Sequence, residues 1–283
     1  MVNIHELLQN TSRTFALAIP LLPEPDRTDV SLAYLIFRIA DTLEDSEQLT
    51  ASDRIEALKD YRHLLENPEQ IRISAFTAKW KSKSPAADED HRKLFENTPQ
   101  VFAQLSDREP WVERYIREHA QQTCDGMIEM IPQVARGLRS EPQLHRYCYY
   151  VAGVVGEMLT KLFAARIDDF EADEVSLAES RAFGEGLQLV NILKDAEQDG
   201  QAGRRFLPME SDKSELFQLA RKNLSVAARY VGRLVRAQAA PGYLEFCQLP
   251  LLLGTATLDK VEQLGPGAKV SREQVSELLA RVR

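Results

Sequence analysis

Strand-like alternation of useful length is missing from this chain, as are a basic surplus, paired cysteines and any long apolar run. Each absence removes a class of protein. Without alternating apolar and polar residues there is no sheet to build, and the Asp-Gly pairs at Asp125-Gly126 and Asp199-Gly200 follow helical patterns instead of joining strands. The net charge of -8 argues against nucleic acid as a partner, because binders of the phosphate backbone present a basic face. Cys124, Cys148 and Cys247 are odd in number, far apart and embedded in helical patterns. They offer no disulfide framework and no zinc spacing, and read as reduced, packed residues of a cytosolic protein. The longest apolar run, Tyr147 to Gly156, is too short to span a bilayer, and MVNIHELLQN lacks the basic and apolar regions of a signal peptide. A soluble, cytoplasmic protein is expected. No GxGxxG stretch follows a strand, and none of His5, His63, His91, His119 and His145 has a Glu three residues before it. These facts exclude a dinucleotide-binding fold and a di-iron carboxylate bundle.

What is present is helical period. The 283 residues, 44% hydrophobic, are ample for a large core; the length allows two domains, and one domain spanning 1-283 is equally permitted. The pattern predicts helices near 3-9, 27-46, 52-66, 70-82, 88-105, 110-131, 141-166, 174-199, 212-238, 242-262 and 271-282. Breakers fall between them at Pro20 to Pro25, Asn67-Pro68, Ser84-Pro85, Glu109-Pro110, Glu141-Pro142, Gly200 to Gly203 and Pro266. Pro250, inside a helix, is expected to kink it. Lys79 to Asp90 reads as an exposed connection. The fold class is all-α.

One stretch organises the rest. In QLVNILKDAEQDGQAGRRFLP, Gln188 to Pro208, the residues Asn191, Asp195 and Asp199 recur every four positions, stacking an amide and two carboxylates along one stripe of a helix. Leu189, Val190, Ile192 and Leu193 face away from that stripe and are expected to bury. Far upstream, LAYLIFRIADTLED repeats the device with Asp41 and Asp45, four apart, and Arg38 three before Asp41. Either pair alone is also what a solvated helix face looks like. Both, however, follow strongly apolar segments, and neither helix supplies enough Lys or Arg at i+4 to neutralise all its acids. Facing each other, two such helices would line a cavity mouth with carboxylates suited to Mg²⁺, which keeps several waters and bridges to substrate phosphates.

The segment YCYYVAGVVGEMLTKLF, Tyr147 to Phe163, is apolar nearly all round and carries Gly153 and Gly156. Glycine inside a helix costs about 1 kcal/mol relative to alanine, so two of them point to close approach of a backbone or a ligand.

With these blocks in view, the chain resembles the squalene and phytoene synthases, which join two prenyl diphosphates head to head. SRTFALAIPLLP, Ser12 to Pro23, resembles the family's opening motif, RIADTLED its first aspartate-rich motif, YCYYVAGVVGEMLTKLF its central motif and LQLVNILKDAEQDGQAGRRFLP its second aspartate-rich motif. The blocks run in family order over most of Ser12 to Pro208. DTLED is the form typical of squalene synthases, and FCQLPLLLGTATL followed by GAKVSRE resembles a carboxy-terminal block that phytoene synthases lack. Gly156-Glu157 and the short chain resemble bacterial dehydrosqualene synthases, and the missing eukaryotic membrane anchor fits a bacterial form. Two positions depart from the family: Lys194 stands where Arg is common, keeping the charge but losing the bidentate fork, and Gln198 replaces a frequent Glu.

The resemblance implies an isoprenoid-synthase-type helical bundle around a central apolar cavity. It implies Mg²⁺ or Mn²⁺ held by Asp41, Asp45, Asn191, Asp195 and Asp199, and a proton step or cation stabilisation at Tyr147. Ser12, Arg13, Phe15, Tyr34, Arg38, Gln188, Asn191 and Arg204 are expected to bind substrate, and Lys194 and Lys269 to hold NADPH. Two molecules of farnesyl diphosphate would pass through presqualene diphosphate to squalene. A phytoene or dehydrosqualene synthase without the reductive step, or a presqualene diphosphate synthase, stays open. So does a catalytically silent lipid carrier, although repelling carboxylates would gain such a protein nothing. Oligomeric state and peripheral membrane contact also stay open.

Overall fold

The structure, a computed structural model, describes residues 3-12, 14-86 and 88-283. Among them the regular structure is entirely helical, and no helix is long and apolar enough to cross a membrane. The chain divides into two compact units, Met1–Pro20 with Glu24–Pro132, and Leu21–Pro23 with Gln133–Arg283.

The first unit holds α1 (Ile4–Thr11), α2 (Phe15–Ala18), α3 (Asp26–Glu44), α4 (Ala51–Glu66), α5 (Gln70–Lys81), α6 (Glu89–Glu96), α7 (Thr98–Ser106) and most of α8 (Pro110–Arg136). At its centre α3 packs against α1, α4, α6 and α7. Leu32, Leu35, Ile36, Ile39, Ala40 and Leu43 of α3 are fully buried, so the acidic end of this helix is carried on a rigid body. Asp26 and Asp29 occupy its first turn, where the helix dipole favours negative charge. Arg108 Nε donates to the buried Asp29 carboxylate at 2.6 Å, supplying the partner that a buried charge requires.

The second unit holds the end of α8, then α9 (Glu141–Cys148), α10 (Val154–Ala164), α11 (Glu174–Gln201), α12 (Lys213–Arg236), α13 (Pro241–Leu264) and α14 (Arg272–Val282). Here α11 is the centre, touching α9, α10, α12 and α13. Its approach to α10 and to the turn just before it, residues 149-153, is backbone against backbone. A Cβ on Gly156 would lie 2.2 Å from the Ser180 carbonyl oxygen, and one on Gly184 would lie 2.2 Å from that of Ala152. Both distances are far inside van der Waals contact. The pair of glycines singled out in the sequence therefore meets another helix, and Gly184 of α11 returns the contact.

Several predicted boundaries move. The helix expected over 88-105 is two, α6 and α7, because Asn97 ends one and Pro99 opens the next. The helix expected over 141-166 changes to a π turn at Tyr149–Gly153 between α9 and α10. Helix α8 runs through Pro132 to Arg136, and α13 runs on through Pro250 without interruption. Within the breaker segment a 3-10 turn forms at Ile19–Leu21. The connection after Lys79 is not wholly exposed: Trp80 is fully buried, with the Lys79 and Lys83 ammonium groups 4.8 and 4.9 Å from its ring centroid.

The glycine contacts give a contrast that thermal unfolding resolves. Gly156→Ala or Gly184→Ala is expected to destabilise by about 3 kcal/mol or more through overpacking. Gly200→Ala, whose Cβ would meet nothing within 4 Å, is expected to be neutral or to gain up to about 1 kcal/mol. Equal melting temperatures for all three variants would contradict the packing described.

Candidate active site

In the first unit, the carboxy-terminal half of α3 brings several predicted residues into one network. Tyr34 donates its hydroxyl proton to the Thr11 carbonyl at 2.7 Å and accepts from Arg38 Nε at 3.0 Å. Arg38 also pairs with Asp41 at 3.3 Å. Phe15 leans on the Tyr34 ring, with centroids 6.0 Å apart. Ser12 Oγ accepts from the backbone N–H groups of Phe15 and Ala16 at 3.0 and 3.3 Å, so this hydroxyl caps the short helix α2. Arg13 lies outside the described residues. Asp41 is half-buried, whereas Asp45, one turn on, is exposed. Burial pushes the Asp41 carboxyl up to about 6, with Arg38 opposing, Asp45 adding to the rise and His91 opposing it.

His91 was not singled out by the sequence. Its Nδ1 lies 2.8 and 2.9 Å from the two Asp88 oxygens, and its backbone N–H donates to Asp88 at 3.0 Å as the amino-terminal cap of α6. The spacing Asp88-x-x-His91 was the available signal, and it reads first as an ordinary cap.

In the second unit, α11 has the two-sided character the sequence predicts. Leu189, Val190, Ile192 and Leu193 are buried; Asn191 is exposed, and Gln188, Asp195 and Asp199 are half-buried. Basic groups reach these acids from positions other than i+4. Lys194 Nζ lies 3.2 Å from Asp195 and 3.3 Å from the Asn191 amide oxygen. The Arg204 guanidinium approaches Asp199 Oδ1 through Nε at 3.2 Å and Nη2 at 3.0 Å, while the Arg204 N–H donates to the Asp199 carbonyl at 2.8 Å. Arg204 can close back in this way because Gly203 takes a positive φ of 76° just past the helix end. The stripe is thus better compensated than counting i+4 bases suggests.

Tyr147 is buried at the end of α9, and its ring lies 4.7 Å from that of Phe206. Exposed Lys269 lies two residues beyond Gly267, whose N–H donates to the Lys194 carbonyl at 2.7 Å; the Lys269 carbonyl accepts from Lys260 Nζ at 3.4 Å. These contacts bring the segment bearing Lys269 to α11 at the second acidic cluster.

The comparisons with known proteins agree with the motifs. The squalene/phytoene synthase family model matches residues 8-215, and the chain belongs to that family. Squalene synthase ERG9 of Candida albicans is 28% identical over 286 residues, covering 92% of this chain and 62% of its own length. Squalene synthase of Homo sapiens is 30% identical over 208 residues, covering 73% of this chain and 46% of its own. The chain therefore spans under two thirds of the length of these relatives. Among solved structures, TcSQS in a ligand complex aligns with a TM-score of 0.77 at 23% identity, covering 99% of this chain and 85% of its own. Squalene synthase HpnC of Alicyclobacillus acidocaldarius aligns at 0.58 and 17%, covering 93% and 92%. The fold is the all-α isoprenoid synthase fold.

The Tyr34 hydroxyl is the hub of the first network. Tyr34→Phe is expected to lower stability in urea unfolding by about 1-2 kcal/mol, because the Thr11 carbonyl and Arg38 each lose a partner. An unchanged midpoint would mean that the network contributes nothing to the fold.

Proposed function

We propose that this chain is a squalene synthase acting as one isoprenoid synthase domain, joining two molecules of farnesyl diphosphate through presqualene diphosphate and reducing the product with NADPH. The observation that carries the proposal is the pair of aspartate clusters on packed helices, each with its own basic residue, in a chain whose relatives are named squalene synthases.

The donor set suits Mg²⁺ or Mn²⁺. Among the described residues no three His, Cys, Asp or Glu side chains converge as a closed cage. Magnesium at phosphate sites takes one or two carboxylates and completes its shell with water and phosphate oxygens. Asp41 and Asp45, and Asp195 and Asp199 with Asn191, would hold it. When bound, it supplies the positive charge that lets an allylic diphosphate leave.

The chain's own residues supply the rest. Arg38, Lys194 and Arg204 are already turned to the acidic clusters, and their donors suit diphosphate oxygens. Ser12, Arg13, Phe15, Tyr34 and Gln188 complete the substrate contacts. The Tyr147 hydroxyl takes the proton whose loss closes the cyclopropane and relays it towards the departing diphosphate, or the ring steadies the cation. Carbocations react with water, and buried Val154 and Leu189, with half-buried Val151, Val155, Leu159 and Leu187, supply apolar surface against it. Lys194 and Lys269 are the candidates for the NADPH phosphates, a choice that the Gly267 contact to Lys194 favours. Action in the cytoplasm, with the water-insoluble product delivered to a membrane surface, completes the reading.

Incubating purified protein with farnesyl diphosphate and Mg²⁺, with and without NADPH, and identifying the hydrocarbon by mass spectrometry tests this proposal. Squalene formed only with NADPH is expected. Dehydrosqualene regardless of NADPH, or presqualene diphosphate alone, would overturn the reductive step, and no turnover would overturn the substrate.

A further inference from the structure

The loop that leaves α11 joins the second acidic cluster to the ring of Tyr147. It starts just past Asp199, in the last turn of α11, which Arg204 holds through both its backbone N–H and its guanidinium. Its middle is tied by three backbone hydrogen bonds to the end of α8 and the residues just after it: Arg205 N–H to the Val134 carbonyl at 3.4 Å, Leu138 N–H to the Arg205 carbonyl at 3.0 Å, and Met209 N–H to the Leu138 carbonyl at 3.3 Å. Between these ties Phe206 turns inward. It is 7% exposed, and its ring meets that of Tyr147, itself 4% exposed, at 4.7 Å between centroids and a 32° tilt.

The chain around Tyr147 gives this contact its importance. Tyr147 is the penultimate residue of α9, and the regular helix changes to a π turn at Tyr149. Such turns are frequent at functional sites and shift the phase of the side chains on either side. A tyrosine ring also has a broad, two-fold χ2 well, so its plane is set by what packs on it. The Phe206 side chain has no polar atom, so what it offers Tyr147 is the packing of one ring on another.

We infer that Phe206 is the positioning residue that fixes the Tyr147 ring, and with it the hydroxyl, for the proton-loss step. The inference rests on the role proposed above for Tyr147. Because the loop is anchored at Arg204 and Arg205 independently of the Phe206 ring, shortening that side chain should disturb Tyr147 and leave the acidic cluster in place.

A double-mutant cycle on the first half-reaction tests it. Single-turnover formation of presqualene diphosphate from farnesyl diphosphate is measured for Phe206→Leu, Phe206→Tyr, Tyr147→Phe and the Phe206→Leu/Tyr147→Phe double variant. Phe206→Leu is expected to slow the step about 10- to 100-fold, the size that small misplacements of reacting groups produce. The KM and the Mg²⁺ midpoint should stay within about twofold, the split expected when a transition-state interaction is lost, and Phe206→Tyr should restore most of the rate. In the Tyr147→Phe background the same leucine should cost little more, because residues acting as a unit are not additive. Losses that multiply, a changed KM or Mg²⁺ midpoint in place of a changed rate, or a Phe206→Leu variant as fast as the parent would overturn the inference.

A second readout needs no turnover. With 3-fluorotyrosine incorporated, the Tyr147 fluorine resonance, assigned by its loss in Tyr147→Phe, should move or broaden in Phe206→Leu and hold in Phe206→Tyr. An unmoved resonance in Phe206→Leu would overturn the positioning role. Should the leucine variant fail to fold, Phe206→Met replaces it in both experiments with the same expectations. A parent protein inert toward farnesyl diphosphate would sink the proposed function, and the resonance would then decide the positioning of Tyr147 by itself.

Discussion

Helices α10 and α11 meet at a distance that no side chain could share, and the second unit is arranged around that contact. Gly156 of α10 lies over the Ser180 carbonyl of α11, and Gly184 of α11 lies over the Ala152 carbonyl in the π turn that leads into α10, so α11 is fixed in height and rotation against that continuous segment. The same pinned helix, α11, carries Asn191, Asp195 and Asp199 further along. On the other side of the contact, the π turn leads back to Tyr147. Glycines that weaken an isolated helix are used here to hold polar groups in register, a use for which alanine is too large.

Charge near this contact is matched with care, except at one place. Arg181 Nε reaches Glu157 at 2.7 Å, and Glu179 takes Arg233 at 2.6 Å and Arg229 at 3.4 Å. Glu185 is the exception. Its Oε2 lies 3.2 Å from His145 Nε2, but its Oε1 is buried without a hydrogen-bond partner. Burial pushes the Glu185 carboxyl up to about 7, with Arg181 opposing and Glu157 adding to the rise. An unfolded chain would release that proton near pH 4.5, so this group's contribution to stability declines as pH rises from there to about 7.

Much of this was legible in the sequence. Helical period located the long elements, and four-residue spacing placed Asn191, Asp195 and Asp199 on one stripe with Leu189, Val190, Ile192 and Leu193 buried behind it. What escaped were features that depend on neighbours distant in sequence or on small differences of backbone energy. Composition alone does not distinguish a π turn from the α-helix it interrupts, and Pro132 lies inside α8 where a local rule would stop the helix. The bases that compensate the acids arrive from i-3, from the adjacent residue and from beyond the helix end. Phe206, inside a block already recognised, gains its meaning when its ring is found on Tyr147.

In the proposed function, the acids on these packed helices hold a divalent cation against a diphosphate. Diphosphate release from farnesyl diphosphate, followed as Mg²⁺ is titrated, tests it most directly when the parent is set beside Asp41→Asn and Asp195→Asn, substitutions that keep shape and remove charge. No release is expected without the metal and, in each variant, a loss of about 100-fold or more or a Mg²⁺ midpoint moved upward by at least about tenfold. Release that proceeds without Mg²⁺, or that neither substitution disturbs, would contradict it.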